Sequence, residues 1–373
     1  MPASRRSSRC WGASATIPEL PPLAVRGPAL VRSDTGAPVR LRGVNRSGLE
    51  YADPRAAGPA SATGPAAFLD SVGFDEADLR RIAAWGATIV RVPFTQAFAL
   101  RGRGPATAAD YLGALDRVVG WAEAAGLYTL LDLQWIDADT PHGVGSDGSV
   151  NRVPPLPDAE SIDLWRLLAD RYRDRPSVLF DLFNEPHTPV ASDDTPLLGV
   201  RPDGGLWKLP ARVVGMDEWQ PWALRLLDEI RAVHPRSIVF VSGVRWAYDL
   251  RGFPLRRRSG RLVEQVVYST HVYPWVRVGL PGRRLEREWG RAFGHLAGAV
   301  PVFAGEWGGG DADLDWGRRL LRYLEAHTVG WTAWSWCDWP RLVSAVSGPA
   351  CTPTPFGEIV RSGLDGGRSG AEA

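Results

Sequence analysis

Two short apolar runs in this chain each end in one glutamate. Residues 178–187 read Val-Leu-Phe-Asp-Leu-Phe-Asn-Glu-Pro-His, and residues 301–307 read Pro-Val-Phe-Ala-Gly-Glu-Trp. Apolar residues dominate both, as in strands buried on two faces. Pro186 has no N–H and cannot extend a central strand, so the first strand is expected to end near it, with Glu185 at its carboxyl end. Two carboxylates delivered by separate strands suit glycoside hydrolysis. One is protonated to donate to the leaving oxygen, and the other is ionised to attack the anomeric carbon or activate water. Arg91 beside Glu306 would hold that group ionised, and the charge of Glu306 would raise the pKa of Glu185. Tyr273 could hydrogen-bond Glu306, and Asn184 could bind the sugar hydroxyl next to the reacting carbon. The competing explanation of the two glutamates is a pair of structural ion pairs at a barrel rim.

The elements that must position these groups alternate along the chain. Strands are expected at 41–45, 87–94, 127–135, 178–186, 237–242, 266–273, 301–306 and 330–336. Helical spacing marks 75–85, 109–125, 159–173, 217–233, 285–296, 314–326 and 354–361, with Gly86 and Gly126 as stops. Alternation with crossover helices implies parallel strands, and eight such units predict a single-domain (β/α)8 TIM barrel over 21–365. An open doubly wound sheet is the rival, but no Gly-rich phosphate loop follows the first strand. A hairpin is expected over 28–44 around Ser33-Asp34-Thr35-Gly36, long loops at 50–70, 137–157 and 188–216, and disordered tails at 1–20 and 366–373. On this count Asn45, Arg91, Gln134, Trp135, Glu185, Ser242, His271, Tyr273, Glu306 and Trp334 converge on one face of the barrel.

Composition excludes several classes. The 373 residues are 45% hydrophobic and 23% charged with a net charge of +1, which makes no electrostatic case for nucleic acid or an anionic membrane. No run is long enough to span a bilayer. Cys10, Cys337 and Cys351 show no metal spacing, although the last two could pair in an oxidising compartment. Asp137, Asp139, Asp193 and Asp194 lie in expected loops without an EF-hand pattern. Neither a metal nor a cofactor is expected, and the histidines other than His271 (His142, His187, His234, His295 and His327) read as surface or structural. Seventeen tryptophans are unusual. They fill core or stack on sugars, and Trp135, Trp275, Trp307 and Trp336 sit at strand ends. Arg5-Arg6 has no following apolar segment, so the chain is expected to be cytoplasmic or exported by a route not visible in its sequence.

Six segments in order resemble the cellulase-like glycoside hydrolase family five. They are Leu-Arg-Gly-Val-Asn at 41–45, Val-Arg-Val-Pro-Phe at 90–94, Phe-Asn-Glu-Pro at 183–186, His-Val-Tyr-Pro at 271–274, Gly-Glu-Trp at 305–307 and Gly-Trp-Thr-Ala-Trp-Ser-Trp at 330–336. The resemblance implies a retaining β-glycosidase of β-glucan-type chains, with Glu185 as acid/base and Glu306 as nucleophile. It implies Arg91, Asn184, His271 and Tyr273 as their supporting shell and Trp334 as the platform under the sugar at the cleavage point. Asn45, Gln134 and Trp135 are further candidates for substrate contact. A monomer with a carbohydrate substrate is expected. One position departs from the family pattern: the third strand ends Asp132-Leu133-Gln134, where the family carries a histidine. Gln134 can still donate to a sugar hydroxyl but cannot become charged. That substitution keeps a second reading in view, a catalytically weak or inactive barrel that binds carbohydrate.

Overall fold

Eight parallel strands close into a barrel in chain order. They are Arg42–Asn45, Ile89–Thr95, Tyr128–Trp135, Val178–Asp181, Val239–Ser242, Val266–Val272, Val302–Trp307 and Gly330–Ala333. The structure is a computed structural model that describes residues 20–57, 63–137, 153–188, 197–200, 206–208, 213–276, 285–345 and 351–365. Both expected tails, apart from Leu20, and most of the 137–157 and 188–216 loops lie outside these residues. Within the second loop, Leu197–Val200 and Leu206–Lys208 pair as antiparallel strands.

Period-two alternation divides the barrel interior into two levels. Leu41, Ile89, Leu130, Leu179, Phe240, Val267 and Phe303 fill its lower end, capped by Leu23 and Leu30. Two residues further along, Arg91, Asp132, Asp181, Ser242 and Ser269 make the same face polar, with Asn45 and His271 one step beyond on the first and sixth strands. The chemistry is therefore mounted on an apolar plug. The cap is a three-stranded antiparallel sheet of Leu23–Arg26, Ala29–Arg32 and Pro38–Val39. The expected hairpin supplies two of its strands, and Leu23–Arg26 adds an edge that sequence spacing did not reveal.

Outside the barrel stand Glu76–Ala84, Ala108–Ala124, Glu160–Arg171, Met216–Val233, Leu285–Ala292, Leu314–Ala326 and Pro355–Asp365. Asp75 caps the first by accepting from the Asp78 N–H, and Thr107 with Asp110 forms a capping box on the second, each satisfying backbone donors that helix geometry leaves free. Between the fifth and sixth strands residues 243–265 run as turns and bridges, so one unit lacks the helix that strict alternation requires. Two helices were not expected. Pro65–Ser71 lies inside the 50–70 segment, whose Ala and Pro content reads as loop; Pro65 in fact starts the helix, and Phe68 and Leu69 are buried beneath it. Gln96–Arg101 follows the second strand directly and is too short to carry a period. Among the described residues no helix is long and apolar enough to cross a membrane.

Two strands stop earlier than expected. The fourth ends at Asp181, and Glu185 stands four residues beyond it. That segment still follows the barrel, because Leu182 N–H donates to Phe240 O at 3.1 Å and Asn184 N–H to Leu133 O at 3.0 Å. The eighth ends at Ala333, with Trp334 N–H on Trp307 O and Trp336 N–H on Asn45 O. Gly43 pairs with Ile89 on the second strand and leaves no room for a side chain: a Cβ there would lie 1.8 Å from Ile89 O. Gly43→Ala is expected to cost more than about 3 kcal/mol, since backbone must move. Urea denaturation checks this, and a stability equal to wild type would contradict the packing.

Candidate active site

The second strand carries Arg91 into the barrel, and its guanidinium is shared among four other strands and the segment after the fourth. Nη1 donates to Glu306 Oε1 at 2.8 Å and to Asn45 Oδ1 at 3.0 Å. Nη2 donates to Asn184 Oδ1 at 2.8 Å, and Nε to Asp181 Oδ2 at 3.2 Å. Asp132 Oδ1 lies 2.9 Å from Nη2 as an ion pair, off the axis a hydrogen bond needs, so neither of its oxygens is hydrogen-bonded. Asn45 passes the connection on, donating from Nδ2 to Gly305 O at 3.0 Å and Thr332 O at 3.3 Å. Arg91 and Asn45 are wholly buried. With its amide engaged in this way, Asn45 is placed to position Arg91 and its neighbours, where the sequence had suggested a sugar contact.

Above this layer stand the two glutamates. A register shift pairs His271 with Glu306 and leaves Gly305 as an extra residue. Such a bulge re-aims the following side chain. It turns Glu306 to the interior, beside His271. Tyr273 Oη donates to Glu306 Oε2 at 2.7 Å. His271 Nδ1 lies 2.9 Å from Glu185 Oε1 and 3.7 Å from Glu306 Oε2. One ligand-type atom from each of Glu185, His271 and Glu306 falls within 4.8 Å of the others. The Glu185 side chain is 22% exposed and that of Glu306 5%, so Glu185 is the more open to an incoming molecule.

Burial dominates the electrostatics. It pushes the Glu185 carboxyl well above the usual range, with the charge of Glu306 adding to the rise and Arg91 opposing it. It raises Glu306 too, against the lowering effect of Arg91 and of the hydrogen bonds from Tyr273 and Arg91. The sequence reading expected Arg91 to hold Glu306 ionised; Arg91 does favour the ion, but burial outweighs it, and the two carboxyls are separated because Glu185 is raised further. Burial and the nearby Arg91 charge hold the His271 imidazole neutral, well below its ordinary value. Burial likewise keeps the Tyr273 hydroxyl protonated. Asp132 is driven well up by burial, and Asp181 from 3.8 to about 6 by the same cause, with Arg91 opposing.

A pocket of about 160 Å³ opens beside Glu185, lined by Gln134, Trp135, Phe183, Asn184, His187 and Trp246 among others. Gln134 Oε1 is buried there without a hydrogen-bond partner. His187 and Trp246 stack at 3.7 Å and 8°, which gives His187 a structural place in the wall. Trp246 reaches that place through three successive left-handed residues, Arg245, Trp246 and Ala247, a conformation costly for side-chain-bearing residues. Trp135 lies 6.3 Å from Tyr51. Trp334 is half-buried, its indole N–H on Trp339 O at 3.1 Å. Trp307 and Trp336 are fully buried, Trp307 edge-on to Trp331, so both serve the core. Trp275 is exposed and stacked on Tyr273. Cys337 and Cys351 are free thiols, and Cys337 Sγ accepts from Arg46 at 2.9 Å. His142, Asp139, Asp193, Asp194 and Cys10 lie outside the described residues.

The sequence reading missed Asp132 and Asp181, although each breaks an otherwise apolar strand interior in step with the inward-facing leucine two residues before it. Their burial has a pH signature. The folded state keeps the Asp181 proton up to about 6, whereas the unfolded chain loses it near 3.8. This stability is full below the unfolded value and is lost as pH rises through the folded one, by about 3 kcal/mol. Asp181→Asn is therefore expected to lose less stability than wild type between acid and neutral pH. Urea unfolding at both pH values measures the two losses, and equal losses would count against a buried, protonated Asp181.

The family model described as cellulase (glycosyl hydrolase family 5) matches residues 35–339. An endoglucanase of Paenibacillus polymyxa is 26% identical over 253 residues, covering 59% of this chain and 56% of that protein. The major extracellular endoglucanase of Xanthomonas campestris is 28% identical over 292 residues, 67% of this chain and 54% of its own. The chain thus spans little more than half the length of these relatives. Among solved structures, a β-glucanase from Saccharophagus degradans superposes with a TM-score of 0.66 at 23% identity, covering 93% of both chains. The catalytic domain of the Xanthomonas enzyme gives 0.63 at 21%, covering 92% of this chain and 99% of that one. These superpositions establish the shared barrel, and with the family model spanning it from hairpin to eighth strand, the chain belongs to the cellulase family, glycosyl hydrolase family 5.

Proposed function

We propose that the chain is a retaining β-glycoside hydrolase acting on β-linked glucan chains, with residues 21–365 as one monomeric catalytic unit. The observation that carries this reading is the approach of a Glu185 oxygen to a Glu306 oxygen within 4.8 Å. Retaining enzymes hold their carboxyl groups about 5 Å apart, whereas inverting enzymes leave room for a water at about 6.5–9.5 Å. Glu185, with the higher pKa, gives its proton to the leaving glycosidic oxygen. Glu306 attacks the anomeric carbon and forms a covalent glycosyl-enzyme. Glu185, now ionised, takes a proton from water, whose oxygen displaces Glu306 and restores the starting stereochemistry. Arg91 and Tyr273 each hold one Glu306 oxygen and fix the angle of attack. Neutral His271 orients Glu185 without adding a charge that would draw off its proton. Asn184, Gln134, Trp135 and Trp334 are assigned to the sugar. The endoglucanase names of the relatives, and the solved complex of the Saccharophagus β-glucanase with cellotetraose, support a glucan substrate.

Proton NMR of the first product formed from a β-glucan is expected to show the β anomer. Glu306→Gln should fall to background. Glu185→Gln should lose about 10²–10⁴-fold, least with a good leaving group such as an aryl β-glycoside. An α anomer would sink the retaining mechanism, and binding of glycans by wild type with no turnover of any would favour the inactive barrel. Glu185, His271 and Glu306 also lie at distances a cation could bridge. Both Glu306 oxygens are already held, by Arg91 and by Tyr273, which leaves a poor ligand set. Full activity after dialysis against a chelator is the expected result, and loss restored by a divalent cation would overturn it.

A further inference from the structure

We infer that Trp275 and Trp339 form a second sugar platform, outside the cleavage point, that holds a further unit of a β-linked glucan chain; this rests on the activity proposed above. Trp275 is 51% exposed and Trp339 70%, and they are the only exposed tryptophans among the residues whose side chains are described. Large apolar rings left in water commonly mark a binding surface. Neither ring hangs free. Tyr273 and Trp275 stack at 4.5 Å and 18°, and Trp275 and Trp339 at 5.4 Å and 24°. The loop of Trp339 is tied down as well: its N–H donates to Asp338 Oδ1 at 2.8 Å, its carbonyl accepts from the Trp334 indole, and Asp338 N–H donates to Ser335 Oγ at 2.8 Å.

The three rings make one column, drawn from the ends of the sixth and eighth strands. Its inner member, Tyr273, donates to Glu306, so the column is continuous with the catalytic centre and leads outward from it. Tyr273 and Trp339 each stack on Trp275, which still leaves half of its surface in water. The surface left for a ligand is the outer face of Trp339 and the rims of the other two. A flat indole face matches the apolar C–H face of a pyranose, while the sugar hydroxyls at its edge stay in water. A folded protein partner would need roughly 800 Å² on this side, of which two indoles supply a small part. The column also fits an extended ligand better than a single sugar, because its free face lies two ring layers away from Tyr273.

The test uses the full chain and compares cellohexaose, cellotriose and an aryl β-glucoside. Trp339→Ala is expected to raise KM for cellohexaose about tenfold, the loss of one hot-spot contact, at unchanged kcat. The same variant should leave the aryl glucoside unaffected, and Trp339→Phe should restore most of the loss. A KM for cellohexaose equal to wild type would overturn the platform, and so would equal losses on all three substrates, which would mean a disturbed centre. If wild type hydrolyses no β-glucan, the proposed activity fails and the platform is judged by calorimetry alone. An about tenfold weaker binding of cellohexaose to Trp339→Ala would then support it, and unchanged binding would overturn it.

Discussion

One guanidinium sets the terms for this barrel. Arg91 is the cation at the middle of a buried layer that also holds Asp132, Asp181 and Glu306, with Glu185 just above. Four carboxylates around one cation cannot all be ionised out of water, because each uncompensated charge there costs several kcal/mol. Part of the layer must therefore carry protons at neutral pH, and Asp132 and Glu185, whose carboxyls burial drives well up, are where they sit, whereas Asp181, raised to about 6, has largely lost its own. The proton that the proposed glycoside cleavage needs is in this sense a consequence of crowding. Arg91 can serve every neighbour at once because its fork offers five donors in fixed directions, which a lysine does not.

The rest of the fold keeps that layer away from solvent. Apolar residues plug the barrel below it, capped by the N-terminal sheet, and the outer faces of the strands pack under the helices. Asn45 spends its whole amide on holding Arg91 and the carbonyls of Gly305 and Thr332, so strands one, two, seven and eight are locked around the charge. The Gly305 bulge then aims Glu306. Stability comes from the shell, and the centre draws on it.

What was legible in the sequence follows from this division. Glu185 and Glu306 could be read because each closes an apolar run, and Arg91, His271 and Tyr273 because they recur at strand ends in a familiar order. The barrel could be read because its outer layer obeys a helical period. Asp132 and Asp181 were overlooked because both faces of these strands are apolar, so the period-two step from Leu130 and Leu179 points inward only once the barrel register is known. Asn45 looked like a sugar contact because its position on the rim is visible in sequence and its saturation by neighbours is not. Trp307 and Trp336 share the strand-end position of Trp275, yet they point outward under the helices. The side chosen depends on local irregularities in the strands, which sequence alone does not encode.

The division of labour between the two glutamates is also a matter of neighbours. Their residue type is the same, and Glu306 is buried and Glu185 mostly so, so burial alone would raise both. Glu306 differs in having a cation on one oxygen and a neutral hydroxyl donor on the other, both of which stabilise the anion. Among the described residues Glu185 has only a neutral imidazole within hydrogen-bond reach, and the charge of Glu306 opposes its ionisation. Exchanging the two roles would require moving Arg91 and Tyr273 to the other wall. The asymmetry is therefore built into strands two, six and seven, and Gln134, on strand three beside Glu185, adds no charge to disturb it. The Gln134 departure therefore leaves the proton inventory of the centre as the other strands set it.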